Sequence, residues 1–126
     1  EGMVDVEFLV QFLQLKYGRD YPDIRSVATL EALKAIRTAA LLSEEDFLTL
    51  HEGYTFLRHL ENRLRIINDY SMNALGGSKS YLNRLARRLG YEEKLRNPGE
   101  VLMADYERIT AGVRQVYDRI LGEEGG

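Results

Sequence analysis

At 126 residues, with 44% hydrophobic and 29% charged side chains, the chain suits one domain with a real core, and 8 Tyr and 4 Phe against 2 Pro exclude a disordered segment. The lack of cysteine excludes disulfides, thiolate zinc sites and cysteine nucleophiles, and fits a reducing cytoplasm. A net charge of -3 offers no broad attraction to nucleic acid or anionic lipid, and no apolar run reaches the roughly 18 residues of a membrane helix.

The chain opens directly into an apolar segment carrying two carboxylates, Asp5 and Glu7, which predicts a piece of a longer protein, cut where one element hands over to the next. From Met3 to Tyr17 the residues are apolar nearly all round, the pattern of a helix buried on most faces. Gly18 stops it, and Arg19-Asp20-Tyr21-Pro22-Asp23 reads as a turn, because Pro22 holds Tyr21 extended and aspartates supply local acceptors. A second helix starts near Ser26 or Thr29, carries Leu30, Leu33 and Ile36 on one face, and ends around Ala39 to Leu41. Ser43, with Asp46 three residues on, resembles a capping box before a long helix from Glu44 to near Asn73. That helix is striped by Phe47, Leu50, Tyr54, Leu57, Leu60 or Glu61, Leu64 and Ile67, and Gly53 is its weak point.

Gly76-Gly77-Ser78 breaks the chain before a short helix marked by Leu82, Leu85, Ala86 and Leu89 and closed by Gly90. Asn97-Pro98-Gly99-Glu100 has the form of a helix start, and the helix after it, striped by Leu102, Tyr106, Ile109, Val113, Val116, Tyr117 and Ile120, runs to about Leu121. The prediction is an all-α fold of about five helices around one long central helix, a single helical domain over 1–122 with a frayed tail at 123–126.

Little in the residues points to chemistry within this chain. His51 and His59, eight apart on one helix, are too distant to share an ion, and no metal site is predicted. Gly76-Gly77-Ser78-Lys79-Ser80 lacks the spacing of a phosphate-cradling loop. Asp5 and Glu7, two apart on a helix, point about 200° from each other and so cannot jointly hold one metal. They read either as first-turn acids favoured by the helix dipole or as the edge of a site whose centre lies elsewhere. Arg58, Glu61 and Arg65 read as a structural ion-pair or interface set, since Glu61 falls near the apolar stripe and needs a partner there; Arg25 is a further candidate across helices. Arg84, Arg87 and Arg88 form a basic helix face, open to a partner or phosphate contact but too local, in an acidic chain, for nucleic acid.

The segment Gly2-Met3-Val4-Asp5-Val6-Glu7-Phe8-Leu9-Val10-Gln11 resembles the Gly-Gly-x-x-Asp/Glu-Ile-Glu-Phe-x-x-Gln motif of the glutamine synthetase adenylyltransferase family. Thr29 to Leu33, Leu41-Leu42-Ser43, Tyr54-Thr55-Phe56-Leu57-Arg58-His59-Leu60-Glu61-Asn62-Arg63-Leu64 and Leu85-Ala86-Arg87-Arg88-Leu89-Gly90-Tyr91 are similar to its helical region in the same order. The resemblance implies a helical companion following a nucleotidyltransferase domain, in an enzyme that adds AMP to a tyrosine of glutamine synthetase and removes it by phosphorolysis. The Gly-Ser and Asp-x-Asp signature of the catalytic domain is absent from these residues, which implies a chain inactive alone, binding no cofactor itself, with ATP and Mg held in the intact parent. The implied partners are the upstream domain, glutamine synthetase and a PII-type signalling protein, with no nucleic acid or membrane, in the cytoplasm. Asp5 and Glu7 would then border the nucleotide cleft. Met3-Val4 is more similar to the adenylylating half and Phe56 to Leu64 to the deadenylylating half, so the half stays open. A stand-alone helical interaction module, or the companion of a PII uridylyltransferase, are the alternatives.

Overall fold

A computed structural model describes the backbone at residues 2–75, 79–92 and 97–125, and the side chains at 2–63, 82–92 and 97–122. Among the described residues every regular element is helical: α1 Gly2–Tyr17, a 3-10 turn Pro22–Arg25, α2 Thr29–Thr38, α3 Glu44–Leu75, α4 Lys79–Arg88 and α5 Pro98–Gly125. The all-α expectation is met, and α3 is the longest helix, at 32 residues. The predicted break at Gly76-Gly77-Ser78 lies outside the described residues. α5 runs past Leu121, where its apolar stripe ends, to Gly125; Glu123 and Glu124 are good helix formers.

The backbone divides into two compact units, Glu1–Thr55 with Ile109–Gly126, and Phe56–Arg108. The core of the first unit joins Val6, Leu9 and Leu13 of α1, Leu33 and Ile36 of α2, Leu50 of α3 and Val113 of α5. At Gly53 a Cβ would lie 2.5 Å from Val113 Cγ2, so the glycine lets α3 and α5 pack closer than any side chain permits. The position that weakens the helix in isolation thus serves its packing. The second unit has its own smaller core of Leu60, Leu85, Ala86 and Leu102.

Helix ends follow the sequence signals unevenly. Ser43 Oγ accepts the Asp46 N–H at 3.0 Å, the N-cap half of the expected box, while the Asp46 carboxylate turns instead to Arg119 at 2.5 Å. At the start of α5 the Gly99 N–H donates to Asn83 Oδ1 of α4 at 2.8 Å, so a tertiary contact satisfies one of the free donors of the helix start. α4 closes with Gly90 at φ 98°, Tyr91 N–H bonding Ala86 O and Gly90 N–H bonding Arg87 O, the paired bonds of a Schellman motif. α2 closes the same way, with Leu41 N–H to Ile36 O and Ala40 N–H to Arg37 O, but here the left-handed residue is Ala40, at φ 61°.

Alanine and glycine exchanged at these positions have opposite outcomes. Ala40→Gly relieves a left-handed alanine and raises stability by about 1 kcal/mol, whereas Gly53→Ala forces a methyl into the contact with α5 and lowers it by about 1–3 kcal/mol. Urea unfolding followed by helical circular dichroism measures both.

Candidate functional site

α1 carries the motif residues, and its geometry sorts them. Val6, Leu9, Val10 and Leu13 are buried, while Val4, Phe8 and Leu15 are 48%, 57% and 89% exposed. At 100° per residue the exposed three fall within roughly 40° of one another, with exposed Gln11 flanking them, and so form one stripe. The composition suggested burial on most faces; the other described helices cover only one, and a second apolar face is left in solvent. A contiguous exposed stripe of large apolar side chains marks an interaction surface.

The two carboxylates lie to either side of the buried face and point to different helices. Asp5 Oδ1 accepts from Arg114 Nη1 of α5 at 3.1 Å, and Arg114 also meets Asp118 at 3.1 Å through Nε. Glu7 Oε2 accepts from the hydroxyl of Tyr54, a buried residue of α3, at 3.0 Å. Helical geometry therefore separates the pair, as their spacing predicts, and each acid ties α1 to another part of the first unit. They do not converge, so they do not fit a shared magnesium. Arg119 to Asp46 is a third tie in this unit, to a carboxylate whose residue is only 8% exposed.

The remaining candidates are scattered. Arg58 and Glu61 are exposed on α3, because the stripe passes through buried Leu57 and Leu60; the side chain of Arg65 lies outside the described residues. Arg25, suggested as a partner for Glu61, donates through Nε to Gly18 O at 2.9 Å. Arg84, Arg87 and Arg88 are exposed together on α4, opposite buried Leu85 and Ala86. His51 sits half-buried with its ring centroid 5.2 Å from that of Phe47. In the second unit, exposed His59 borders a cleft of about 180 Å³ with Phe56, Leu89, Gly90 and Tyr91. The Tyr91 hydroxyl donates to Asp105 Oδ2 at 2.5 Å, and burial, together with that bond to a carboxylate, holds its pKa above the ordinary tyrosine value. Among the described residues no three His, Cys, Asp or Glu side chains gather as a metal site, and no helix is long and apolar enough to cross a membrane.

These features define an all-α helical domain whose motif-bearing α1 is tied to α3 and α5 on its inner side and apolar on its outer side. Residues 2–121 match the family model described as GlnD PII-uridylyltransferase, and the chain belongs to that family of helical domains. It is similar to bifunctional glutamine synthetase adenylyltransferase/adenylyl-removing enzymes. One from Streptomyces avermitilis is 33% identical over 94% of this chain, one from Xanthomonas oryzae pv. oryzae is 40% identical over 73%, and one from Mycolicibacterium smegmatis is 31% identical over 96%. The chain spans only 12%, 10% and 12% of those relatives, respectively. No solved structure matches.

The Tyr54 hydroxyl is the most buried of the polar ties described on α1, and its loss reads directly as stability. Tyr54→Phe lowers the free energy of unfolding by about 1 kcal/mol or more, and Glu7→Gln, which keeps an acceptor, lowers it less; chemical denaturation of both variants checks the order.

Proposed function

We propose that this chain is the helical companion domain of a glutamine synthetase adenylyltransferase, supporting AMP transfer to a glutamine synthetase tyrosine and its phosphorolytic removal in nitrogen regulation. The observation that carries the reading is the match of residues 2–121 to the family together with 31–40% identity to a small part of the bifunctional enzymes. The exposed Val4, Phe8 and Leu15 stripe supports it, since a companion domain needs an apolar face for its catalytic neighbour. In this reading the nucleotidyltransferase domain holds ATP and magnesium, the parent works in the cytoplasm, and glutamine synthetase and a PII-type protein are its partners. Asp5 and Glu7 border the nucleotide cleft as positioning residues, fixing the angle at which α1 meets the catalytic domain, and Arg84, Arg87 and Arg88 offer a face to a partner or a phosphate. A second reading, the companion of a PII uridylyltransferase, is favoured by the description of the matching family itself.

The test fuses the chain behind a nucleotidyltransferase domain of the family and assays AMP transfer to glutamine synthetase and UMP transfer to a PII protein. AMP transfer by the fusion and none by the chain alone supports the first reading; activity of the isolated chain overturns it, and UMP transfer alone selects the second. Phe8→Ser with Leu15→Ser shifts the stability of the isolated chain by no more than roughly 0.5 kcal/mol and slows transfer by the fusion roughly tenfold or more.

A further inference from the structure

The turn after α1 and the C-terminal end of α2 border a cleft of about 490 Å³ within the first unit, inside the range of roughly 300–1,000 Å³ usual for ligand sites. Its floor is apolar: Ala35 and Ala39 of α2 leave room where larger side chains would fill it, next to the turn at Ile24, whose own side chain is buried in the core. Tyr21 and Pro22 form a wall, and Asp20 and Asp23 bring two exposed carboxylates to the rim. Thr38 Oγ1 donates to Lys34 O at 3.0 Å, so toward the cleft this hydroxyl is an acceptor. Among the described residues no lysine or arginine lines the cleft.

The wall is pre-built. Gln14 Nε2 donates to Ile24 O at 2.7 Å and to Ser26 O at 2.8 Å, Tyr21 N–H bonds Tyr17 O at 3.0 Å, and Ile24 N–H bonds Tyr21 O at 3.1 Å. Gly18 allows the chain to reverse there, because a Cβ would stand 2.4 Å from Gln14 O. The turn's backbone groups are thus engaged with the turn itself and with α1, and Asp20 and Asp23 are the charges it offers the cleft. A site held in its binding geometry beforehand loses little freedom when occupied.

We propose that this cleft receives an arginine side chain from a partner polypeptide. Two carboxylates and an accepting hydroxyl repel anions, and a neutral apolar ligand would strip water from both acids without replacing it. A guanidinium answers both carboxylates with its fork of N–H donors, lays a planar face against the Tyr21 ring, and brings a three-carbon stem to cover Ala35 and Ala39. A lysine ammonium matches the charge but neither the fork nor the plane.

The test titrates the 126-residue chain, ¹⁵N-labelled, with Nα-acetyl-arginine amide as the peptide-like probe, the citrulline analogue as its neutral isostere, and free arginine. The capped arginine shifts the amide signals of Asp20, Tyr21, Asp23, Thr38 and Ala39 saturably, the citrulline analogue does not, and free arginine, bringing its own carboxylate to an acidic rim, binds more weakly. Asp20→Asn with Asp23→Asn weakens binding at least roughly tenfold, as expected for lost charge-assisted hydrogen bonds, and Ala39→Leu, which fills the floor without touching charge, weakens it as well; both variants keep the parent's helical spectrum. Equal shifts from citrulline, or shifts the variants leave unchanged, overturn the site. Tighter binding of free arginine than of the capped form overturns the polypeptide assignment.

Discussion

At Gly53 the backbone of α3 meets Val113 of α5 more closely than a methyl group allows, and the side-chain ties of the first unit depend on that approach. With Val113 turned inward and fully buried, the neighbouring Arg114 emerges beside Asp5, and Arg119, further along α5, reaches Asp46. The glycine has a cost in helix propensity of about 1 kcal/mol. Burial of Val113, Val116 and Ile120 offsets it by about 1.5–3 kcal/mol for each large aliphatic side chain fully removed from water. A residue that lowers the helicity of an isolated segment here raises the stability of the assembled unit.

The ion pairs are a secondary layer. Arg114 and Arg119 are themselves half-exposed, so their pairs with Asp5 and Asp46 are screened by solvent and salt and contribute less than the apolar contacts beneath them. Their use is directional: an acid on α1 and another on α3 both read the register of α5. The Tyr54 hydroxyl does the same for Glu7 from the buried side. Register errors in a helical unit are otherwise cheap, because apolar stripes of leucine and valine slide past one another with little penalty.

Legibility of the sequence tracked the range of the interaction. The stripes of α2 and α5, that of α3 as far as Leu60, the serine cap at Ser43 and the glycine stop at Gly90 are local signals, and each appears where periodicity and capping chemistry put it, while the side chains of Leu64 and Ile67 lie outside the described residues. The end of α2 was less sharply written, since its left-handed residue is Ala40 and not a glycine. Asn83 meeting Gly99, and Gly53 meeting Val113, join residues far apart in the chain, and no window of sequence reveals them. For the candidate site, the 200° separation of Asp5 and Glu7 was readable, but their partners Arg114 and Tyr54 were not. The exposed stripe had a signal, a helix apolar on every side, and that signal is the same for a core helix and for one waiting at an interface.

The division of α1 between two apolar faces also limits how its sequence can drift. A surface helix normally has one face where nearly any polar residue will do. Here Val6, Leu9 and Leu13 answer to the core, Asp5 and Glu7 to Arg114 and Tyr54, and Val4, Phe8 and Leu15 to whatever lies beyond the chain. Few of these sixteen positions are left to absorb substitutions without consequence to the core, the ties or the outer face.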